Sequence, residues 1–202
     1  MTELFKLLLP NRYIIFLFLM VTYLNGQAQL RYSLVDKFHF PVGNTEQVTP
    51  QRDGDGWYDA QPFRVNNHLG EDWNAETGGN SDCGATVFAV ANGVCIYSKD
   101  AGGGWGNVII IRHLLPSGDL VETLYAHLEK RLIKEGEKVF ARELVGYVGD
   151  GEAPCGNSAP YYAHLHFELR NEDCRHFGQV GGGYSAEQKG WLSPTKFILQ
   201  HQ

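Results

Sequence analysis

The chain has 202 residues, 43% of them hydrophobic and 20% charged, with a formal net charge of −6. That length builds one domain with a substantial core and hardly two. The acidic balance and the lack of any basic run exclude a nucleic-acid footprint. They also deny the protein long-range attraction to polyanionic polymers, which favours short-range recognition of a partner in a groove.

Residues 1–28 have the make-up of an export signal: Lys6 and Arg12 supply positive charge, Tyr13 to Leu24 is an apolar run, and Gly26-Gln27-Ala28 offers small residues for cleavage. The run is shorter than the roughly 20 residues needed to span a bilayer. The expectation is therefore cleavage near Gln29, delivery to the periplasm or the medium, and no stable membrane insertion afterwards. No cysteine stands beside the cleavage site, which argues against a lipoprotein. Residues 29–61 read as an irregular approach segment rich in turn formers. Its Asp53-Gly54-Asp55-Gly56 run lacks the full calcium-loop pattern and reads as a surface turn.

From residue 62 to 202 the chain reads as one domain. Helical periodicity is scarce, and short apolar or alternating runs are separated by some of the chain's 24 glycines, the pattern of an antiparallel β protein. Strands are predicted at Val87–Val90, Val94–Ser98, Asn107–His113, Val121–Leu128, Val145–Val148 and His164–Arg170. Asn92-Gly93, Gly102-Gly103-Gly104 and Ser117-Gly118 supply turns. The triple glycine lacks the Lys-Ser/Thr and helix of a phosphate loop. A short helix is predicted at Ser193–Leu199. Cys83, Cys95, Cys155 and Cys174 form an even set in an exported chain, so disulfides are expected. Of the three possible pairings, Cys155–Cys174 is favoured because it ties the loop before the last long strand to the chain leaving it. No cysteine-peptidase signature surrounds Cys155.

The chemistry concentrates in three places. In His164-Leu165-His166-Phe167-Glu168-Leu169-Arg170, period-two alternation puts His164, His166 and Glu168 on one wet face and Leu165, Phe167 and Leu169 toward a core. His68-Leu69-Gly70-Glu71-Asp72 supplies an imidazole and, four residues on, a carboxylate. Tyr125-Ala126-His127-Leu128 lies between, and alternation puts His127 on the face of Thr123 and Tyr125. A catalytic zinc keeps three N or O ligands and leaves a fourth position to water, a quota filled by His68, Asp72 and one of the paired histidines. There is no H-E-x-x-H motif, so proton transfer falls to histidine. Glu168 either orients a ligand imidazole or faces solvent. Of the other histidines, His39, His176 and His201 look ordinary, and His113 is the one placed to border a groove, although a structural role suits it better.

The ordered set H-x-G-x-D, Y-A-H-L and H-L-H-F-E resembles the LytM/lysostaphin-type zinc metalloendopeptidases, which cut peptide bonds in bacterial peptidoglycan. The resemblance runs from about Phe38 to about Ile198 and includes Phe40-Pro41-Val42, Phe63-Arg64, Thr86 to Val94, Gly104-Trp105-Gly106-Asn107 with the strand to His113, and Gly136-Glu137-Lys138-Val139. It implies a mainly antiparallel β fold, like a duplicated hybrid motif, with an open groove over a central sheet and few short helices. It implies that residues 62–202 are the catalytic domain, that His68, Asp72 and His166 bind zinc, and that His127 and His164 are catalytic. The partner implied is a peptidoglycan stem peptide, with the D-alanine to meso-diaminopimelate cross-link expected and pentaglycine the alternative, and the protein is expected to be a monomer. Some relatives with broken zinc motifs instead activate wall amidases through the groove. The chain departs from the family in the segment from Gly151 to Tyr162, which is longer than the usual short turn and is expected to border the groove.

Overall fold

A computed structural model describes residues 33–43, 56–152, 154–156 and 161–202. The export signal and Asp53-Gly54-Asp55 expected from the sequence lie outside them. The described chain is mainly antiparallel β, with strands β1 (Trp57–Gln61), β2 (Glu71–Ala75), β3 (Thr86–Phe88), β4 (Gly93–Asp100), β5 (Asn107–Leu114), β6 (Leu120–Arg131), β7 (Lys138–Val139), β8 (Leu144–Val148), β9 (Leu165–Asn171) and β10 (Trp191–Leu192), closed by helix α1 (Pro194–Gln200). Among the described residues no helix is long and apolar enough to cross a membrane.

The sheet runs β1-β2-β9-β6-β5-β4-β7; β10 pairs with β9, and β8 joins β6 to β3. Its centre is buried on both faces. Tyr125 of β6 stands opposite Phe167 of β9, and Ile109 of β5 opposite Tyr125. These residues belong to the main core with Leu165, Ile111 and Trp73. The next residues along, Leu124 and Ala126 with Val108 and Ile110, turn to the other face and form a smaller cluster against Trp105. That second face also carries His166 and Glu168, which stand opposite Ala126 and Leu124.

Two expectations about the approach segment change. Its end is not irregular: Trp57–Gln61 is strand β1, paired with β2. Residues 33–43 are more than an approach segment, because Val35, Phe38, Phe40 and Val42 are buried in the main core. Their alternation is the physical reason: Phe38, Phe40 and Val42 share one side of an extended chain. The Phe38 amide donates to the His201 carbonyl and that of His39 to Val90.

The disulfide is Cys83–Cys155, Cα to Cα 6.0 Å, and not Cys155–Cys174. A seven-residue strand rising about 3.3 Å per residue separates the loop before β9 from Cys174 beyond it, far more than the roughly 7 Å a disulfide spans. Cys95 and Cys174 are buried free thiols. Burial pushes the Cys95 thiol up to about 12 and raises that of Cys174, which removes both as nucleophiles. Cys155, bonded to Cys83, is equally unavailable.

Helix α1 is held by a carboxylate from β2. Glu71 accepts the Thr195 amide at 3.0 Å and the Thr195 hydroxyl at 2.6 Å, satisfying donors at the helix start.

His113 is structural. It is fully buried on the core face, its Nδ1 2.9 Å from the Asn92 carbonyl and its Nε2 2.8 Å from the Thr123 hydroxyl. Burial lowers its pKa to about 4, against a smaller raising effect of the Asn92 carbonyl. The unfolded chain therefore takes up this proton below about 6.5 while the folded chain refuses it until about 4. Stability from His113 is complete above pH 6.5 and is lost as pH falls toward 4, by about 3 kcal/mol. Urea unfolding across this range should show a weaker loss in His113→Gln than in the parent; equal pH dependence would assign the acid sensitivity elsewhere.

Candidate metal centre and its cleft

The centre is assembled by the pairing of β2 with β9, whose register sets Asp72 opposite His166. His68 arrives from the turn before β2, where Arg64, Asn66 and Asn67 all take positive φ (71°, 53° and 64°) and bend the chain back over the strand. Gly70 explains the middle of H-x-G-x-D: a Cβ there would stand 2.5 Å from the Phe167 carbonyl oxygen and 3.1 Å from His166 Cε1. Only glycine lets this segment lie flat on β9.

Three atoms converge as a result. His68 Nε2 lies 3.0 Å from His166 Nδ1, His166 Nδ1 lies 2.9 Å from Asp72 Oδ1, and His68 Nε2 lies 3.3 Å from the same oxygen. All three residues are buried, and their ligand atoms lie close enough together to hold one metal ion. With bonds of about 2.0–2.1 Å, a tetrahedral zinc site has edges of about 3.3–3.4 Å, close to these separations. The outer nitrogens decide what the inner ones offer. His68 Nδ1 is 3.0 Å from the Gln61 carbonyl, and His166 Nε2 is 3.1 Å from Glu168 Oε1. Both acceptors take the ring proton, so His68 Nε2 and His166 Nδ1 present lone pairs to each other and to a carboxylate. With both rings neutral, three acceptors in contact repel unless a cation lies between them; a proton on His166 is one such cation, and the donor set also fits zinc.

The local field agrees. Burial opposes the charge on Asp72, yet the imidazoles of His166, His68 and His164, which can take up protons beside it, hold its carboxyl well below the ordinary range. Burial alone would lower His166, but Asp72 and Glu168 raise it to about 9. The pocket stabilises positive charge.

Behind His166 runs a buried polar line on the same face of β9. Glu168, fully buried, accepts the Trp191 indole N–H at 2.9 Å and lies 3.8 Å from the Arg170 guanidinium. Arg170 donates to the Gln179 carbonyl at 2.7 Å and faces Glu122, which also binds Arg112. The expected wet face is thus wet only at its His164 end; Glu168 and Arg170 are sealed by Trp191 and the loop carrying Gln179.

His127 and His164 stand beside the triad. The His164 Nδ1 is 2.8 Å from the Tyr162 carbonyl and its Nε2 is 3.7 Å from Asp72 Oδ1. The His127 ring lies 4.7 Å from that of His164 and 5.7 Å from that of His166. It reaches them by breaking the alternation of β6. At φ 58° it leaves the face of Thr123 and Tyr125, where strict alternation places it, and swings to the face of Ala126. Burial, with His166 and His164 adjacent, lowers its pKa to about 3.

The cleft above these groups encloses about 400 Å³, and Gln61, Trp105, Tyr161 and Tyr184 line it with the histidines. Trp105 meets His166 edge-on at 5.2 Å and stacks on His127, while Tyr184 stacks on His68 at 5.0 Å and receives a 2.9 Å hydrogen bond from Gln61. The motifs carried no sign of Gln61, Tyr161 or Tyr184, which come from distant strands and loops; Trp105 was visible only as part of a glycine-flanked turn. His176 packs on Trp191 and His201 on Phe197, away from the cleft.

The model of peptidase family M23 matches residues 66–177, more than half of the chain. The chain belongs to this family. It is 36% identical over 87 residues to lipoprotein NlpD of Yersinia enterocolitica, covering 43% of this chain and 78% of that protein. It is 40% identical over 87 residues to DD-carboxypeptidase/endopeptidase Mpg of Neisseria meningitidis serogroup B (strain ATCC BAA-335 / MC58), covering 43% and 17%. It is 31% identical over 106 residues to murein hydrolase activator NlpD of Salmonella dublin, covering 50% and 25%. The matched region thus spans a quarter or less of the last two proteins.

Gly70→Ala should push β2 off β9 and lower stability by about 1–3 kcal/mol, the usual cost of overpacking. The midpoint of urea unfolding measures it, and an unchanged midpoint would mean that β2 shifts freely and that the close approach is not required.

Proposed function

We propose that this chain is an exported zinc endopeptidase that hydrolyses peptide cross-links of bacterial peptidoglycan in the periplasm or outside the cell. The observation that carries the proposal is the facing of three lone-pair donors, His68 Nε2, His166 Nδ1 and Asp72 Oδ1, at the floor of an open cleft with two further imidazoles beside them. Membership of a peptidase family supports it.

His68, Asp72 and His166 would hold the ion, with Gln61 and Glu168 fixing the two imidazoles. When bound, zinc supplies Lewis acidity at the scissile carbonyl and lowers the pKa of the attacking water. The proton work belongs to His127 and His164, which carry the water's proton to the departing amine. Whichever of them is protonated stabilises the oxyanion. The aromatic walls of Trp105, Tyr161 and Tyr184 orient an extended peptide across the centre.

A second reading is favoured by the name of the Salmonella dublin relative, a murein hydrolase activator. In it the groove binds another hydrolase and cuts nothing. The complete set of five residues here favours the catalytic reading.

The purified protein should hold one zinc per chain. Asp72→Ala and His166→Ala should lose it, whereas His164→Ala should keep it; full zinc by elemental analysis in Asp72→Ala would overturn the ligand assignment. His127→Ala and His164→Ala should each lower kcat by about 10² or more while remaining folded. Glu168→Gln should weaken zinc binding by about 10–100-fold.

Digestion of purified cross-linked sacculi should convert muropeptide dimers to monomers, read by mass spectrometry. Intact dimers beside cleaved pentaglycine would change the substrate. Intact dimers and intact pentaglycine, with acceleration of an added amidase, would establish the second reading.

A further inference from the structure

His127 and His164 differ in what holds them. The His164 Nδ1 is held by a main-chain carbonyl, that of Tyr162. Beside the His127 Nδ1, at 3.3 Å, is a side chain from the segment that departs from the family pattern: the hydroxyl of Tyr161.

The described residues of that segment are anchored. Cys155 is bonded to Cys83 before β3, its amide donates to Glu129 at 2.9 Å, and the Gly156 amide donates to Asp150 at 2.6 Å. At its other end the Ala163 amide donates to the Asn80 side chain at 2.9 Å. Between these ties Tyr161 enters the cleft, with its ring 5.0 Å from that of His127 and 5.3 Å from that of His164.

A phenol carries one proton. The Tyr161 hydroxyl donates that proton to the Gly104 carbonyl, a group that only accepts. What remains toward His127 Nδ1 is lone pair, so the hydrogen on that contact must belong to the imidazole. The Gly104 carbonyl acts on the His127 ring in the same sense, as a further acceptor. A neutral imidazole with its proton on Nδ1 has its lone pair on Nε2. The Gly102-Gly103-Gly104 turn, with φ of 63°, 56° and 85°, thereby does more than connect β4 to β5: it presents the carbonyl that takes the proton of Tyr161.

We propose that Tyr161, acting with the Gly104 carbonyl, is a positioning residue that holds His127 in its Nδ1–H tautomer, leaving Nε2 bare as the proton acceptor. The role for Nε2 rests on the assignment of His127 as a catalytic histidine; the tautomer itself does not. Free histidine favours the opposite, Nε2–H form, so the phenol has an imbalance to overcome. Tyr161→Phe removes the hydroxyl and keeps the ring.

The test is ¹⁵N NMR of the zinc-loaded full chain, with the His127 ring signals assigned by their loss in His127→Gln, alongside steady-state kinetics on a soluble cross-linked muropeptide dimer. The parent should show a protonated Nδ1 and a bare Nε2. Tyr161→Phe should shift the ring toward Nε2–H and lower kcat about tenfold, with KM within about twofold and an unchanged thermal midpoint. A parent with Nε2–H overturns the proposal. So does a Tyr161→Phe variant with unaltered tautomer and kcat, which would show that the Gly104 carbonyl suffices alone. If the dimer is not cleaved, the catalytic assignment fails while the two NMR spectra still decide whether Tyr161 sets the tautomer.

Discussion

Everything in this structure serves the meeting of two imidazole lone pairs and a carboxylate within 3.3 Å of one another. Left to themselves these atoms repel, and in a buried site the repulsion is not screened by water. The protein holds them by other means: a main-chain carbonyl for His68, a buried carboxylate for His166, and the β2–β9 register for Asp72. The raised pKa of His166 is the same fact seen from the proton's side, since burial works against it and the flanking carboxylates prevail. The line from His166 through Glu168 to Arg170 and Glu122 is better read as orientation than as stability. Buried ion pairs roughly repay their desolvation, whereas removing one partner strands a charge and costs about 3–5 kcal/mol.

The sheet supplies the precision, and it deviates from regularity where the chemistry needs it. A regular β6 would bury His127 among Tyr125 and Phe167. A single residue at φ 58° transfers it to the face of His166, and the register of β6 shifts against its neighbours on either side of that point. Backbone strain of this kind costs about 1–3 kcal/mol and persists only where the surroundings over-determine it. Here the surroundings include the His127 amide donating to the Trp105 carbonyl at 3.0 Å and the stacking of the two rings. Gly70 plays the complementary part, since an added Cβ has no room against β9.

What was legible in the sequence is what period and spacing encode. Six strands, the His-x-His strand among them, and the closing helix are visible in the sequence to within a few residues, because hydrophobic alternation is local. Strands β1 and β2 are not: Trp57–Gln61 and Glu71–Ala75 mix polar and apolar residues and are defined by their partners. Alternation alone puts His127 on the wrong face, because it is blind to a positive φ at a non-glycine residue. The cysteine pairing was misread because sequence proximity to β9 ignores the length of β9 itself. The sequence pattern allows Glu168 two roles, and the packing of Trp191 over it, from a strand more than twenty residues on, decides that it is buried. Tyr161, Tyr184 and Gln61 carry no local signal, since a polar aromatic or amide in a loop gains its role from what other loops bring to it.

The cleft divides its labour between two kinds of chain. The candidate ligands sit buried on β2, β9 and the turn strapped to them, supported by the Gln61 carbonyl on β1 and the Glu168 carboxylate on β9. The walls come from loops: the glycine turn before Trp105, the cross-linked segment carrying Tyr161, and the stretch carrying Tyr184, whose Gly183 carbonyl accepts the Leu69 amide beside His68. Loops change in length and composition at small cost to a packed core. Tyr161 follows that logic, because it lines the wall and meets His127 while the three converging atoms lie on β2, β9 and the turn before β2. Two of these walls are nevertheless tied to the imidazoles, through the Gly183 carbonyl beside His68 and through the Tyr161 hydroxyl, 3.3 Å from His127 Nδ1. A change in what the cleft accepts can therefore be transmitted to the imidazoles without any change in the three candidate ligands.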